Sequence, residues 1–123
     1  MLNILTVFIG GGLGSLGRYL IGMLFERIVA SLPFATLFSN VSACLIFAIL
    51  LRIYGTKIDA QPQMKLFLLT GICGGLSTFS TFSFETFKLF KNGQAEYAFL
   101  NIILSLLLCL SMFYVFVNSA KTD

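Results

Sequence analysis

This sequence predicts an all-α membrane protein: four transmembrane helices, the third broken near midplane, paired as an antiparallel, dual-topology homodimer. Three observations carry the prediction. Four long apolar segments use nearly the whole chain. One of them is interrupted by glycines and hydroxyls. Basic residues divide almost evenly between the two ends of the segments.

The first observation is compositional. Of 123 residues, 58% are apolar and 11% charged, and the mean hydropathy is +0.96. That balance belongs to a membrane protein. A span needs about 20 mostly apolar residues, so four spans leave little for a soluble domain. A single membrane domain is expected, with approximate spans 2–25, 33–54, 64–90 and 95–117. The N-terminus lacks a basic stretch ahead of its apolar run, so it reads as a retained first span and not a cleavable leader. The expected location is the cell membrane.

In the first span, Gly10, Gly14 and Gly17 follow a spacing that lets helix backbones approach closely. Arg18 is a charge inside that span. Such groups are costly and face protein or water, or snorkel to the headgroups; an anion vestibule is the functional reading. Ser31 can cap the second helix, and Pro33 suits its first turn. Thr36 and Asn40, four apart, share one face of that helix. A buried amide needs a partner. Asn40 is either helix–helix glue or a donor to an anion.

The third span holds the stretch Gly71-Ile72-Cys73-Gly74-Gly75-Leu76-Ser77-Thr78-Phe79-Ser80-Thr81-Phe82-Ser83. Paired glycines at Gly74-Gly75 disfavour an unbroken helix. Broken backbone at membrane depth survives only when buried in protein or lining a polar cavity, and it commonly marks an ion or substrate site. Phe79 and Phe82 fall on one face. Glu85 fits either a pathway exit or the membrane interface. Lys91-Asn92-Gly93-Gln94 ends the span. In the fourth span Asn101, Ser105 and Cys109 form a mildly polar stripe, suited to packing, with Ser105 also a candidate for the pathway.

GICGGLSTFSTF resembles the signature of the Fluc family of fluoride channels, also called CrcB proteins. Gly11-Gly12-Leu13-Gly14-Ser15-Leu16-Gly17-Arg18-Tyr19 and Thr36-Leu37-Phe38-Ser39-Asn40 agree with the same family, and the resemblance covers nearly the whole chain. It implies a passive fluoride-selective channel exporting cytoplasmic fluoride, with two antiparallel pores per homodimer. It places Asn40, Phe79, Ser80, Thr81, Phe82 and Ser105 along the fluoride pathway. It also implies a structural sodium ion (Na+) on the two-fold axis, held by the carbonyls of Gly74 and Ser77 from both protomers. Neutral donors suit conduction, because a charged group would hold the anion too tightly. Aromatic edges carry positive partial charge, so the Phe79 and Phe82 rims qualify.

Basic residues give the third observation. Arg52, Lys57, Lys65 and Lys121 fall on one side. Arg27, Lys88 and Lys91 fall on the other, with Arg18 if it snorkels there. So even a division selects no orientation, and two opposed copies would pair about an axis in the membrane plane.

Other classes fit less well. A small dual-topology multidrug or cation exporter wants a membrane-embedded carboxylate; Glu26 lies at a span end and Glu85 late in the third span. No histidine, carboxylate pair or activated nucleophile suggests an enzyme. Cys44, Cys73 and Cys109 sit in three different spans with no C-x-x-C pair, which disfavours zinc and suits small apolar roles. A net charge of +3, dispersed along the chain, does not suggest nucleic acid as a partner. The expected partners are fluoride, a second copy and membrane lipid.

Overall fold

The computed structural model describes residues 1–29 and 32–118. Ser31, the expected cap, and Lys121, one of the counted charges, lie outside the described residues. Among the described residues, four helices are long and apolar enough to cross a membrane. Span one is Leu2–Glu26, span two Phe34–Tyr54, span three Pro62–Lys91 and span four Ala95–Asn118. Pro62 opens span three at a first-turn position, where its missing N–H costs nothing.

Most large apolar side chains point outward, among them Leu5, Phe8, Leu13, Phe99, Leu106 and Leu110. Lipid tails are as apolar as leucine, so burying such residues gains little, and small residues set the contacts instead. Many buried positions fit that rule, among them Gly10, Gly14, Ala43, Ala48 and Ala98, while Leu69, Leu76 and Leu89 of span three are larger buried residues.

Span one packs mainly on the first half of span three, and span two on span four. The first contact is backbone against backbone. A Cβ on Gly14 would lie 2.3 Å from the Ile72 carbonyl oxygen, and one on Gly75 would lie 2.4 Å from that of Gly11. No side chain larger than hydrogen fits either place. Gly17 is different: a Cβ there meets only Leu76 at an ordinary 3.6 Å.

Span three changes winding twice. Leu66–Cys73 is wound as a π-helix, a form that often accompanies functional sites. Gly74–Leu76 returns to α geometry. The chain then breaks at Ser77–Thr78, both extended, and a new helix runs from Phe79 to Lys91. The break therefore lies just beyond the glycine pair expected to cause it. Gly75 is held helical by its fit against span one, and the polar side chains that satisfy a broken backbone gather three residues later.

Candidate functional site

The break frees backbone groups, and three side chains take up part of them. Asn40 Oδ1 accepts from the Thr78 N–H at 2.7 Å, and Asn40 Nδ2 donates to the Thr78 carbonyl at 3.3 Å. Arg18 Nε donates to the Gly75 carbonyl at 3.2 Å; in a continuous helix that oxygen would meet the Phe79 N–H. Arg18 therefore turns into the protein, not out to the headgroups. Thr78 caps the new helix, its Oγ1 accepting from the Thr81 N–H at 3.3 Å. The same hydroxyl donates to Thr81 Oγ1 at 3.0 Å and lies 3.4 Å from Ser80 Oγ. A capped helix of 13 residues thus starts inside the membrane span. Its N-terminal N–H groups and dipole favour negative charge.

Beside the break opens a cleft of about 680 Å³, lined by Arg18, Thr36, Ser39, Thr78, Thr81, Glu85 and Lys88 among others. Its chemistry is mixed. Arg18 and Lys88 supply positive charge, Glu85 negative. Thr36 donates to Glu85 Oε1 at 2.8 Å, while Glu85 Oε2 and the Ser39 hydroxyl are buried without a partner. Glu85 thus faces the cleft, a placement its sequence position left open.

Of the residues singled out in the sequence, Arg18 and Thr81 line this cleft, and Asn40 joins it through Thr78. Phe79 and Phe82 meet each other at a tilt, with ring centroids 5.9 Å apart, and neither is among the cleft's lining residues. Phe79, 80% exposed, projects from the surface of the single chain, and Ser80 is exposed as well. Ser105 is buried on span four with its hydroxyl unpartnered; it does not line the cleft. Gly74 is exposed and Ser77 half-buried. Asn101 serves as interhelical glue: its Nδ2 donates to Thr86 Oγ1 at 3.0 Å, and Thr86 donates to the Phe82 carbonyl at 2.8 Å.

Thr78, Ser39 and Thr86 went unassigned in the sequence. For Thr78 there was a signal, since a threonine ahead of a resumed helix is a cap. Ser39 and Thr86 had none: each matters through a neighbour distant in the chain.

Comparison with known proteins decides the family. The CrcB-like protein family, described as Camphor Resistance (CrcB), matches residues 5–117. The chain belongs to the CrcB family. Curated relatives agree over most of their length. Three of them share the name fluoride-specific ion channel FluC. The protein from Ruminiclostridium cellulolyticum is 38% identical over 112 residues, covering 90% of this chain and 86% of its own. That from Pyrococcus horikoshii is 40% identical over 115 residues, covering 94% and 91%. That from Escherichia coli K12 is 39% identical over 104 residues, covering 85% and 82%. The CrcB match encloses Arg18, Asn40, the span-three break and Ser105, so the clamp and the cleft fall inside the family region. With four membrane-length helices, this CrcB protein is a multi-pass protein of the cell membrane.

Proposed function

We propose that this chain is a passive, fluoride-selective channel that lets cytoplasmic fluoride leave the cell; it is a transport protein and not an enzyme. The names of its relatives supply the ion. The observation that carries the mechanism is the clamped break: uncharged donors and a helix N-terminus stand beside an open cleft deep in a membrane span.

Fluoride enters the cleft past Arg18 and Lys88, whose charge raises its local concentration. It sheds water against donors that remain uncommitted. One Asn40 N–H goes to Thr78; the second is free. Thr81 Oγ1 accepts from Thr78, which leaves its own O–H to donate. Ser80, and the positive edges of Phe79 and Phe82, continue the route, with Ser105 on span four beyond. None of these groups is ionised, so the anion is held weakly enough to leave.

The working unit is an antiparallel homodimer with two such pathways. The exposure of Phe79 and Ser80 on the single chain supports this, because a second copy can close the surface over them. Sodium fits the dimer axis on the chemistry of this chain. The Thr78 N–H that would close on the Gly74 carbonyl goes to Asn40, and the Thr81 N–H that would close on the Ser77 carbonyl goes to Thr78 Oγ1. Both carbonyls are released, and oxygen donors suit a hard cation. Gly74 and Ser77 of both protomers would hold the ion, which supplies fixed positive charge near the anion route.

Such a channel drains fluoride that enters as neutral HF and ionises in the cytoplasm. Liposomes holding only the purified protein test the proposal. Fluoride efflux with chloride retained is the expected result; proton-coupled cation movement or no flux overturns it.

A further inference from the structure

Spans two and four run parallel in a register that brings two thiols together. Phe47 and Phe113 meet edge-to-face with centroids 5.6 Å apart. One turn earlier on each helix, the Cys44 and Cys109 side chains face each other within interaction reach. One turn earlier again stand Asn40 and Ser105. Both cysteines are free and half-buried, and the pathway proposed above uses neither. Cys73, the third thiol, is buried on span three.

Two thiols facing each other from two helices can act as one chelating site. Soft sulfur ligands select soft metal ions, and the ligating form is the thiolate. Charge then chooses among such ions. A monovalent ion between two thiolates leaves a net anion in the membrane interior, which is costly. A divalent ion that accepts linear two-sulfur coordination leaves a neutral unit. We propose that Cys44 and Cys109 form a two-thiol site for a soft divalent cation of the mercury(II) class, and that its occupation blocks conduction. Neutral HgCl2 reaches the site through lipid. Two S–H bonds and two Hg–Cl bonds break, two Hg–S bonds form, and two protons and two chlorides leave, with no change of oxidation state. The resulting staple pins span two to span four one turn from Asn40 and Ser105. The blocking half of this inference rests on the channel reading; the binding half does not.

The test uses the full-length protein and HgCl2 alone. Mercury retained after gel filtration should be one ion per chain, and fluoride efflux from liposomes should be lost, returning with excess dithiothreitol. Cys44→Ser or Cys109→Ser should each conduct normally without mercury and raise the half-inhibitory concentration about a hundredfold, since the second thiol no longer binds intramolecularly. Cys73→Ser should remain as sensitive as wild type. A half-inhibitory concentration unchanged from wild type in either of the first two variants, or raised in Cys73→Ser, overturns the site. So does failure of the wild type to retain mercury. Retained mercury in a protein with no basal fluoride flux would instead count against the channel reading while leaving the thiol site standing.

Discussion

Asn40 grips Thr78 by both ends of its backbone, accepting from the N–H at 2.7 Å and donating to the carbonyl at 3.3 Å. One side chain thus replaces the two helical hydrogen bonds that residue 78 gives up, and a spare N–H remains for an anion. Aspartate keeps the acceptor and loses the donor. Its second oxygen would face the Thr78 carbonyl and repel both that group and fluoride. A hydrogen bond to a charged group is worth about 1.5–3 kcal/mol, so Asn40→Asp should slow fluoride efflux by about 10- to 100-fold or more. Normal flux in the liposome assay would remove Asn40 from the pathway.

Phe79 and Phe82 separate conduction from folding. Phe79 projects from the chain surface, so trimming it removes little intramolecular packing. Phe79→Ile or Phe82→Ile keeps apolar bulk but discards the positive ring edge. Fluoride efflux should fall in both variants while the dimer peak in detergent gel filtration stays in place. Unchanged flux in both would show that the rings only pack.

Much of this arrangement was legible in the sequence, and the rest was hidden for identifiable reasons. Apolar length gave the four spans. Thr36 and Asn40, placed on one face by their spacing, both reach span three, at Glu85 and Thr78. The spacing of Gly10 and Gly14 announced the close contact of span one with span three. The position of the break was not legible, because local propensity puts it at Gly74-Gly75. Tertiary contact decides otherwise: hydrogen at Gly75 is required by the Gly11 carbonyl, and Asn40 waits at Thr78. The inward turn of Arg18 and the link from Asn101 to Thr86 depend likewise on partners far along the chain.

The glycine contact makes its own prediction. Gly75→Ala forces a methyl against backbone that cannot swing away, so overpacking should destabilise the fold by about 1–3 kcal/mol. Gly12, on the same helix as Gly11 but with nothing within 4 Å of its Cβ position, supplies the control. Thermal unfolding in detergent should fall for Gly75→Ala and hardly move for Gly12→Ala. Equal stability in the two would mean that spans one and three are packed more loosely than described.

Asn101 and Thr86 are 6% and 7% exposed, and their hydrogen bond ties span four to the segment carrying Phe82. Removing one partner strands the other, at about 1–3 kcal/mol for a buried polar group. Removing both with apolar groups of similar shape should cost less than the sum. Asn101→Leu, Thr86→Val and the double variant form a cycle whose coupling should reach about 0.5 kcal/mol or more. Strict additivity in unfolding measurements would mean that the two side chains do not share this bond in the membrane.

Orientation gives the last prediction, and it follows from where Arg18 points. Because its guanidinium bonds the Gly75 carbonyl, it leaves the interfacial count. Arg52, Lys57, Lys65 and Lys121 then stand against Arg27, Lys88 and Lys91, four against three. A bias of one charge cannot fix topology, so a C-terminal tag should be labelled from both sides of the membrane. Tilting the count should separate the two populations. A variant with Arg52, Lys57 and Lys65 changed to Gln should insert one way, and a variant with Arg27→Gln and Lys91→Gln the other. If function needs two opposed copies, each variant alone should fail to protect cells from fluoride, and the two expressed together should restore protection. Full protection from either variant alone, with labelling confined to one side, would show that a parallel or single-chain unit suffices and would exclude the antiparallel pair.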